Sequence, residues 1–251
     1  MKIAISGKGG VGKTTIMALL ANHLKNDGHE VLIIDADPSP HMAQTIGVKD
    51  PGRIIPIAEM KEMLVERSGK TPGSPFYNIN PQVDDLLARY MVEAEGIKLM
   101  VLGAIQEGEG GCACAENTVL KRLLTKLLLA PKQYVLLDME AGVEHLGRGT
   151  IAGVDLLLVV VIPSQSSVRT ALKIKKLARD VRIKRVGFVG NLVADPADEE
   201  FLRQGLSEPP LACFPDLQAI RHNERAGQPI ATVADQLTTA TQTLLRNITG
   251  A

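Results

Sequence analysis

Three groups of residues in this chain could do chemistry. Residues 7–14 read Gly7-Lys8-Gly9-Gly10-Val11-Gly12-Lys13-Thr14, and glycines at this spacing let successive backbone N–H groups turn inward onto phosphate oxygens. Lys13 adds a cation for the β- and γ-phosphates, and Thr14 adds a hydroxyl that can ligate Mg²⁺. Cys112 and Cys114 form a second group, in Gly110-Gly111-Cys112-Ala113-Cys114-Ala115. Residues i and i+2 of an extended segment face the same side, so both sulfurs can reach one soft metal ion. The third group is acidic: Asp35, Asp37 and Asp138 close apolar runs. Taken singly, such acids could equally be strand-end polar residues.

Positioning these groups requires strands that end where the chemistry begins. Short apolar runs recur at Ile3–Ser6, Val31–Ile34, Lys98–Leu102, Val135–Leu137, Leu156–Ile162, Val186–Val189 and Leu211–Phe214. Several are continuous rather than alternating, as expected of strands buried on both faces of a parallel sheet. Helical stretches lie between most of them. Val119, Leu120, Leu123, Leu124, Leu127 and Leu128 form a stripe with a 3.6-residue period. Repeated strand-then-helix order predicts an α/β fold, a mostly parallel sheet with helices on both faces, in a single domain over residues 1–251. The phosphate-binding pattern then falls between a strand and a helix, whose N-terminus adds positive potential. Ser68–Pro81, rich in Pro, Gly, Ser and Asn, reads as a surface loop.

Composition removes several function classes. The 28 basic and 28 acidic residues cancel, which argues against a strongly basic nucleic-acid binder. Three cysteines are too few for a secreted disulfide framework. Metal or redox chemistry in a reducing compartment suits the close pair better. The opening Met1–Ser6 is too short for a signal peptide, and no apolar run reaches the roughly 20 residues of a membrane span. A soluble, cytoplasmic protein without membrane or nucleic-acid partners is expected.

Lys8 narrows the reading. The string Lys8-Gly9-Gly10-Val11-Gly12-Lys13-Thr14-Thr15 resembles the deviant Walker A motif of the MinD/ParA/nitrogenase-iron-protein group. The resemblance implies an ATPase acting as a homodimer, in which Lys8 reaches across the interface to the partner's nucleotide. Gly9 through Thr15 would hold ATP and Mg²⁺. Val31–Pro38, ending in Asp35-Ala36-Asp37-Pro38, resembles the group's switch I, which implies that Asp37 orients the attacking water. Asp138 looks like the Walker B acid, supporting Mg²⁺ through water, with switch II over residues 139–149. Asn191, closing the run Val186–Gly190, looks like the asparagine that reads the adenine edge. Pro215 and Asp216 match the segment that closes over the base. The guanine signature Asn-Lys-x-Asp is missing, so ATP is favoured over GTP.

The cysteine pair chooses among jobs within that group. Glu116, Asn117 and Thr118 open the striped helix, whose dipole would favour thiolates at Cys112 and Cys114. Two thiolates do not complete a site that wants four ligands, but a two-fold axis would supply four sulfurs. Such a site suits zinc, or nickel if it flattens; a pair of merely buried thiols is the plainer alternative. Cys213, alone in its run, reads as core. A deviant Walker A ATPase with Cys-x-Cys between its switches is similar to the CooC-type accessory ATPases that mature nickel carbon monoxide dehydrogenase. The resemblance implies that this dehydrogenase is the partner. Nitrogenase-iron-protein-like proteins hold a bridging iron–sulfur cluster with a second cysteine in switch II, a stretch that here contains none. Glu144 and His145 there are potential additional ligands or simple surface polar residues. A third reading, a MinD/ParA-like spatial organiser, would need a basic amphipathic C-terminal helix or a basic surface. Leu237, Leu244, Leu245 and Ile248 make the last helix a core helix. Arg169, Lys173, Lys175, Lys176, Arg179, Arg182, Lys184 and Arg185 form a basic cluster, either a solvated helix face or a dock for an acidic partner.

Overall fold

The computed structural model describes residues 1–37, 41–70, 76–78, 80–103, 115–129, 133–139 and 153–250. Its strands are β1 (Lys2–Gly7), β2 (Val31–Ala36), β3 (Met91–Ala94), β4 (Ile97–Val101), β5 (Tyr134–Met139), β6 (Leu156–Val161), β7 (Val186–Val193) and β8 (Ala212–Pro215). They form one sheet in the order β3-β4-β2-β5-β1-β6-β7-β8. Every pairing is parallel except β3 with β4. The seven apolar runs all become strands. β3 is an addition: a half-exposed edge strand joined to β4 by Glu95 and Gly96, both at positive φ (50° and 78°). Two consecutive left-handed residues make the hairpin turn that matches strand twist.

Alternation along each central strand feeds two cores. From β2, Leu32 and Ile34 enter one apolar cluster while Val31 and Ile33 enter the other. Leu157, Val159 and Val161 of β6 face the first; Leu156, Leu158 and Val160 face the second. Both faces must therefore be covered by helices. The first is covered by α3 (Lys61–Ser68), α4 (Asp84–Tyr90), α5 (Ala115–Leu129), α6 (Gln165–Asp180) and α7 (Pro196–Leu206). The second lies under α1 (Lys13–Asn26), α2 (Met42–Thr45), α8 (Gln218–Arg225) and α9 (Thr238–Thr249).

The helices follow from sequence in ordinary ways. The α5 stripe from Val119 to Leu128 is buried, its six residues each at most 2% exposed; a fully buried leucine contributes about 1.5–3 kcal/mol. Ser164 caps α6 by accepting from the Ser167 amide, and Asp195 caps α7 by accepting from Ala197 and Asp198, with Pro196 at the first helical position. Leu244 and Ile248 of α9 are buried, and the helix packs on α1 and β8, as expected of a core helix. No described helix is long and apolar enough to cross a membrane.

Candidate functional site

β1 delivers the chain into the glycine-rich loop and α1 takes it away. At Gly7 a side chain is impossible, because a Cβ would lie 2.6 Å from the Val160 carbonyl oxygen on β6. Gly12 sits at φ +87° as the N-cap of α1, and among the described residues no side chain caps that helix. The α1 N-terminus thus keeps its positive end for an anion. Lys13 follows, 8% exposed.

The loop is braced from below by Asn191, whose Nδ2 donates to the Val11 carbonyl at 2.7 Å. A Cβ on Gly12 would stand 2.3 Å from that same nitrogen. Asn191 is 6% exposed and lies within β7, which runs two residues past Asn191 instead of ending before it. The pairing of β7 with β8 shifts register between Gly190 and Val193, and Leu192 takes φ +54°. This irregularity redirects Asn191 toward the loop, as bulges beside sites commonly do. Pro215 ends β8, and Asp216 beyond it is paired with Arg221 of α8 at 2.9 Å.

The acids converge on Lys13 and Thr14. Asp35 and Asp138 are register partners at the ends of β2 and β5. Thr14 Oγ1 donates to Asp138 Oδ2 at 2.8 Å. Asp138 Oδ1 is buried and has no hydrogen-bond partner among the described residues. Burial pushes the Asp138 carboxyl up to about 7, Asp35 adding to the effect while Thr14 and Lys13 oppose it. Burial likewise raises Asp35 to about 6, against the pull of the Asp37 and Met42 amides that donate to it. Two neighbouring buried carboxylates, one with an orphaned oxygen, form a site that a hard cation would complete. Mg²⁺ fits these residues: because the Thr14 hydroxyl gives its proton to Asp138, its lone pairs remain available to a metal.

Lys8 is exposed and donates to Ser166 Oγ in the first turn of α6 at 3.0 Å. Within one chain it therefore rests on α6. Gly9, Gly10, Gly12, Lys13, Thr14, Thr15 and Asp37 line one side of a cavity of about 450 Å³. Its opposite wall was not foreseen from sequence: His41, Gln44 and Thr45 at α2, and Ile220, Glu224, Gln228 and Ile230 in and after α8. No motif marks these residues; only tertiary packing brings them to one cavity, α2 and the Ile230–Thr232 turn both packing on α1. Asn191, Pro215 and Asp216 are not among the lining residues.

Cys112, Cys114, Glu144 and His145 lie outside the described residues, as does all of switch II after Met139. Among the described residues no three His, Cys, Asp or Glu side chains gather as a metal cluster would need. Cys213 is half-buried beside the first core, its thiol pushed up to about 11 by burial and then by Glu199. It is a packing residue, not a thiolate. In the basic cluster, Lys175 pairs with Glu208 and sits over the Phe188 ring, and Arg185 donates to the Ile248 carbonyl. Arg169, Lys173, Lys176, Arg179, Arg182 and Lys184 are exposed.

Comparison with known proteins adds independent ground. Residues 2–227 match the model of the CobQ/CobB/MinD/ParA nucleotide binding domain. The carbon monoxide dehydrogenase accessory protein CooC of Rhodospirillum rubrum is 44% identical over 206 residues, covering 80% of this chain and 78% of its own. An uncharacterised ATP-binding protein of Methanocaldococcus jannaschii is 40% identical over 235 residues, covering 92% and 91%. Among solved structures, the MinC:MinD cell division complex of Aquifex aeolicus superposes with a TM-score of 0.71 over 100% of this chain and 96% of that one, at 20% identity. That likeness shows the fold alone.

Proposed function

The chain belongs to the CobQ/CobB/MinD/ParA nucleotide-binding family, and from that premise we propose that it is a dimeric ATPase that uses ATP binding and hydrolysis to assist nickel insertion into carbon monoxide dehydrogenase. The Thr14–Asp138 contact at the end of the phosphate loop, with the orphaned Asp138 oxygen beside it, is the observation that carries the ATPase half of this reading. The 44% identity to a protein named as a carbon monoxide dehydrogenase accessory protein supports the other half.

In this reading the loop amides and Lys13 hold the triphosphate and neutralise charge on the leaving group. Mg²⁺, when bound, would polarise the outer phosphates; Thr14 would be its direct protein ligand and Asp138 would order its surroundings. Asp37 accepts a hydrogen bond from the attacking water. Lys8 leaves Ser166 and reaches the nucleotide of a second copy as the homodimer closes. Asn191, Pro215 and Asp216 receive the adenine. The cargo is a nickel ion held by Cys112 and Cys114 of both copies, with zinc as the alternative occupant of four sulfurs. Closing and reopening the dimer changes the spacing between the two cysteine pairs, and so couples ATP to metal release.

Nickel content of the dehydrogenase tests this directly. Co-expression with the intact chain should yield a nickel-loaded, active enzyme, and co-expression with Lys13→Ala or Cys112→Ala should yield a nickel-poor one. Equal nickel loading in all three would remove the assignment. A brown protein carrying iron and sulfide would instead favour a redox ATPase with a bridging cluster.

A further inference from the structure

The outer face of α6 carries cations that pair with no acid among the described residues. Between residues 165 and 185 stand eight basic residues and one acid, in a chain whose charges balance overall. Helical spacing sorts them onto one side. Val168, Ala171, Ile174 and Ala178 are buried against the sheet. In the same steps of three and four, Arg169, Leu172, Lys173, Lys176 and Arg179 are exposed. Arg182 and Lys184 continue the row into the turn before β7. Nearby acids are already engaged, Glu208 by Lys175 and Glu200 by Arg203. Among the described residues, none of the six exposed cations of this row forms an ion pair or a side-chain hydrogen bond.

Two details separate this row from an ordinary solvated helix side. Arg182 follows the end of α6 at φ +67°. Its amide donates to the Arg179 carbonyl at 3.0 Å, and the Ile183 amide to the Ala178 carbonyl at 2.9 Å. Such helix-ending turns usually hold glycine, which takes the left-handed conformation without steric cost. Strain kept at an exposed side chain points to a role outside the fold. The second detail is Leu172, 40% exposed and one of three exposed large apolar residues among those described. It stands between Arg169, Lys173 and Lys176, an apolar centre with a charged rim, as protein interfaces are built. A nucleic-acid backbone would leave Leu172 unused and would lie against Asp180, which is exposed on the same side. A membrane would need an apolar helix face, and that of α6 is buried on the sheet.

We propose that this face of α6, from Arg169 to Lys184, is a docking surface for an acidic patch on another protein, the client dehydrogenase. The identity of the partner rests on the function proposed above; the surface and the chemistry it selects go beyond it. Leu172 makes the apolar contact, and the surrounding cations meet carboxylates. Opposite charges speed encounter and fix orientation. Exposed pairs are screened by salt, so the complex should weaken as salt rises. Arg169 stands about one helical turn from Ser166, which holds Lys8. A docked partner therefore adjoins the phosphate loop.

The test is binding of nickel-free dehydrogenase, of a polyglutamate peptide and of a short DNA duplex to four proteins, with thermal unfolding recorded for each. The four are the intact chain, Lys176→Glu, Arg182→Gly, and Lys49→Glu, which reverses an exposed charge after α2. Lys176→Glu should weaken dehydrogenase binding by about tenfold or more, and Lys49→Glu by less than about twofold. Arg182→Gly should weaken it by about threefold while melting no lower than the intact chain, so that its loss is not misfolding. Equal affinity of all four proteins for the dehydrogenase overturns the surface and leaves the proposed function standing. Polyglutamate binding with the expected variant pattern, but no dehydrogenase binding, supports the acidic-protein surface and overturns the dehydrogenase as its partner. DNA bound more tightly than polyglutamate, and released by Lys176→Glu, overturns a protein partner in favour of nucleic acid. An intact chain that binds none of the three overturns the proposal.

Discussion

The Thr14 hydroxyl and the Asp138 carboxylate lie 2.8 Å apart, tying the first turn of α1 to the end of β5. Sequence separates them by 124 positions, and the parallel order of β1 beside β5 brings them together. The contact satisfies one oxygen of a buried acid and leaves the other without a hydrogen-bond partner among the described residues.

Stability should depend on this pair with a definite sign. Asp138 and Asp35 are raised to about 7 and about 6, so the folded chain keeps protons that the unfolded chain releases. The stabilisation present below the unfolded value of 3.8 is therefore lost as pH rises through 6 and 7. Asp138→Asn should flatten this slope in the nucleotide-free protein, since each pKa unit removed is worth about 1.4 kcal/mol. Urea denaturation at several pH values checks it; a wild-type curve no steeper than the variant's would contradict it.

Loss of Lys13 and loss of Asp37 should separate binding from chemistry. Lys13→Ala should abolish nucleotide binding. Asp37→Ala should bind ATP but turn over about 10²–10⁴ times more slowly. Single-turnover assays distinguish the two, and near-normal hydrolysis in Asp37→Ala would exclude that residue from the mechanism.

Lys8 should matter only between subunits. Lys8→Ala is expected to bind nucleotide with ordinary affinity yet fail to form a tight ATP dimer. Ser166→Ala, which frees Lys8 from its resting contact, should leave that dimer intact. Light scattering with and without ATP checks both, and a Lys8→Ala protein that dimerises and hydrolyses normally would sink the cross-subunit role.

Gly12 and Asn191 should be coupled. Gly12→Ala meets both a left-handed backbone, costing about 1–2 kcal/mol, and the Asn191 amide at 2.3 Å. Adding Asn191→Ala should recover the steric part alone. A double-mutant cycle measures that coupling, and strict additivity would mean the loop gives way elsewhere.

Much of this was legible before any coordinates. The loop from Gly7 to Thr14 announced itself because each residue's chemistry is local. Strands such as Leu156–Val161 were visible because a doubly buried strand is apolar throughout. β3 was not, since a half-exposed edge strand with a Glu-Gly turn carries neither an apolar run nor an Asn-Gly signal. Asn191 was noticed, but its hold on Val11 depends on a bulge with no sequence mark. Glu224 and Gln228 carried no mark for a related reason: they reach the cavity wall only through tertiary packing, and polar residues at a helix end usually mean only solvent.

Nickel binding to the intact protein and to the Cys112→Ala, Cys114→Ala double variant, with and without ATP, tests the proposed function most directly. The intact protein should take up one nickel ion per dimer, with an affinity that ATP changes. The double variant should bind nucleotide normally and no stoichiometric nickel. Tight binding of one nickel per dimer by the double variant would contradict the metal-handling role.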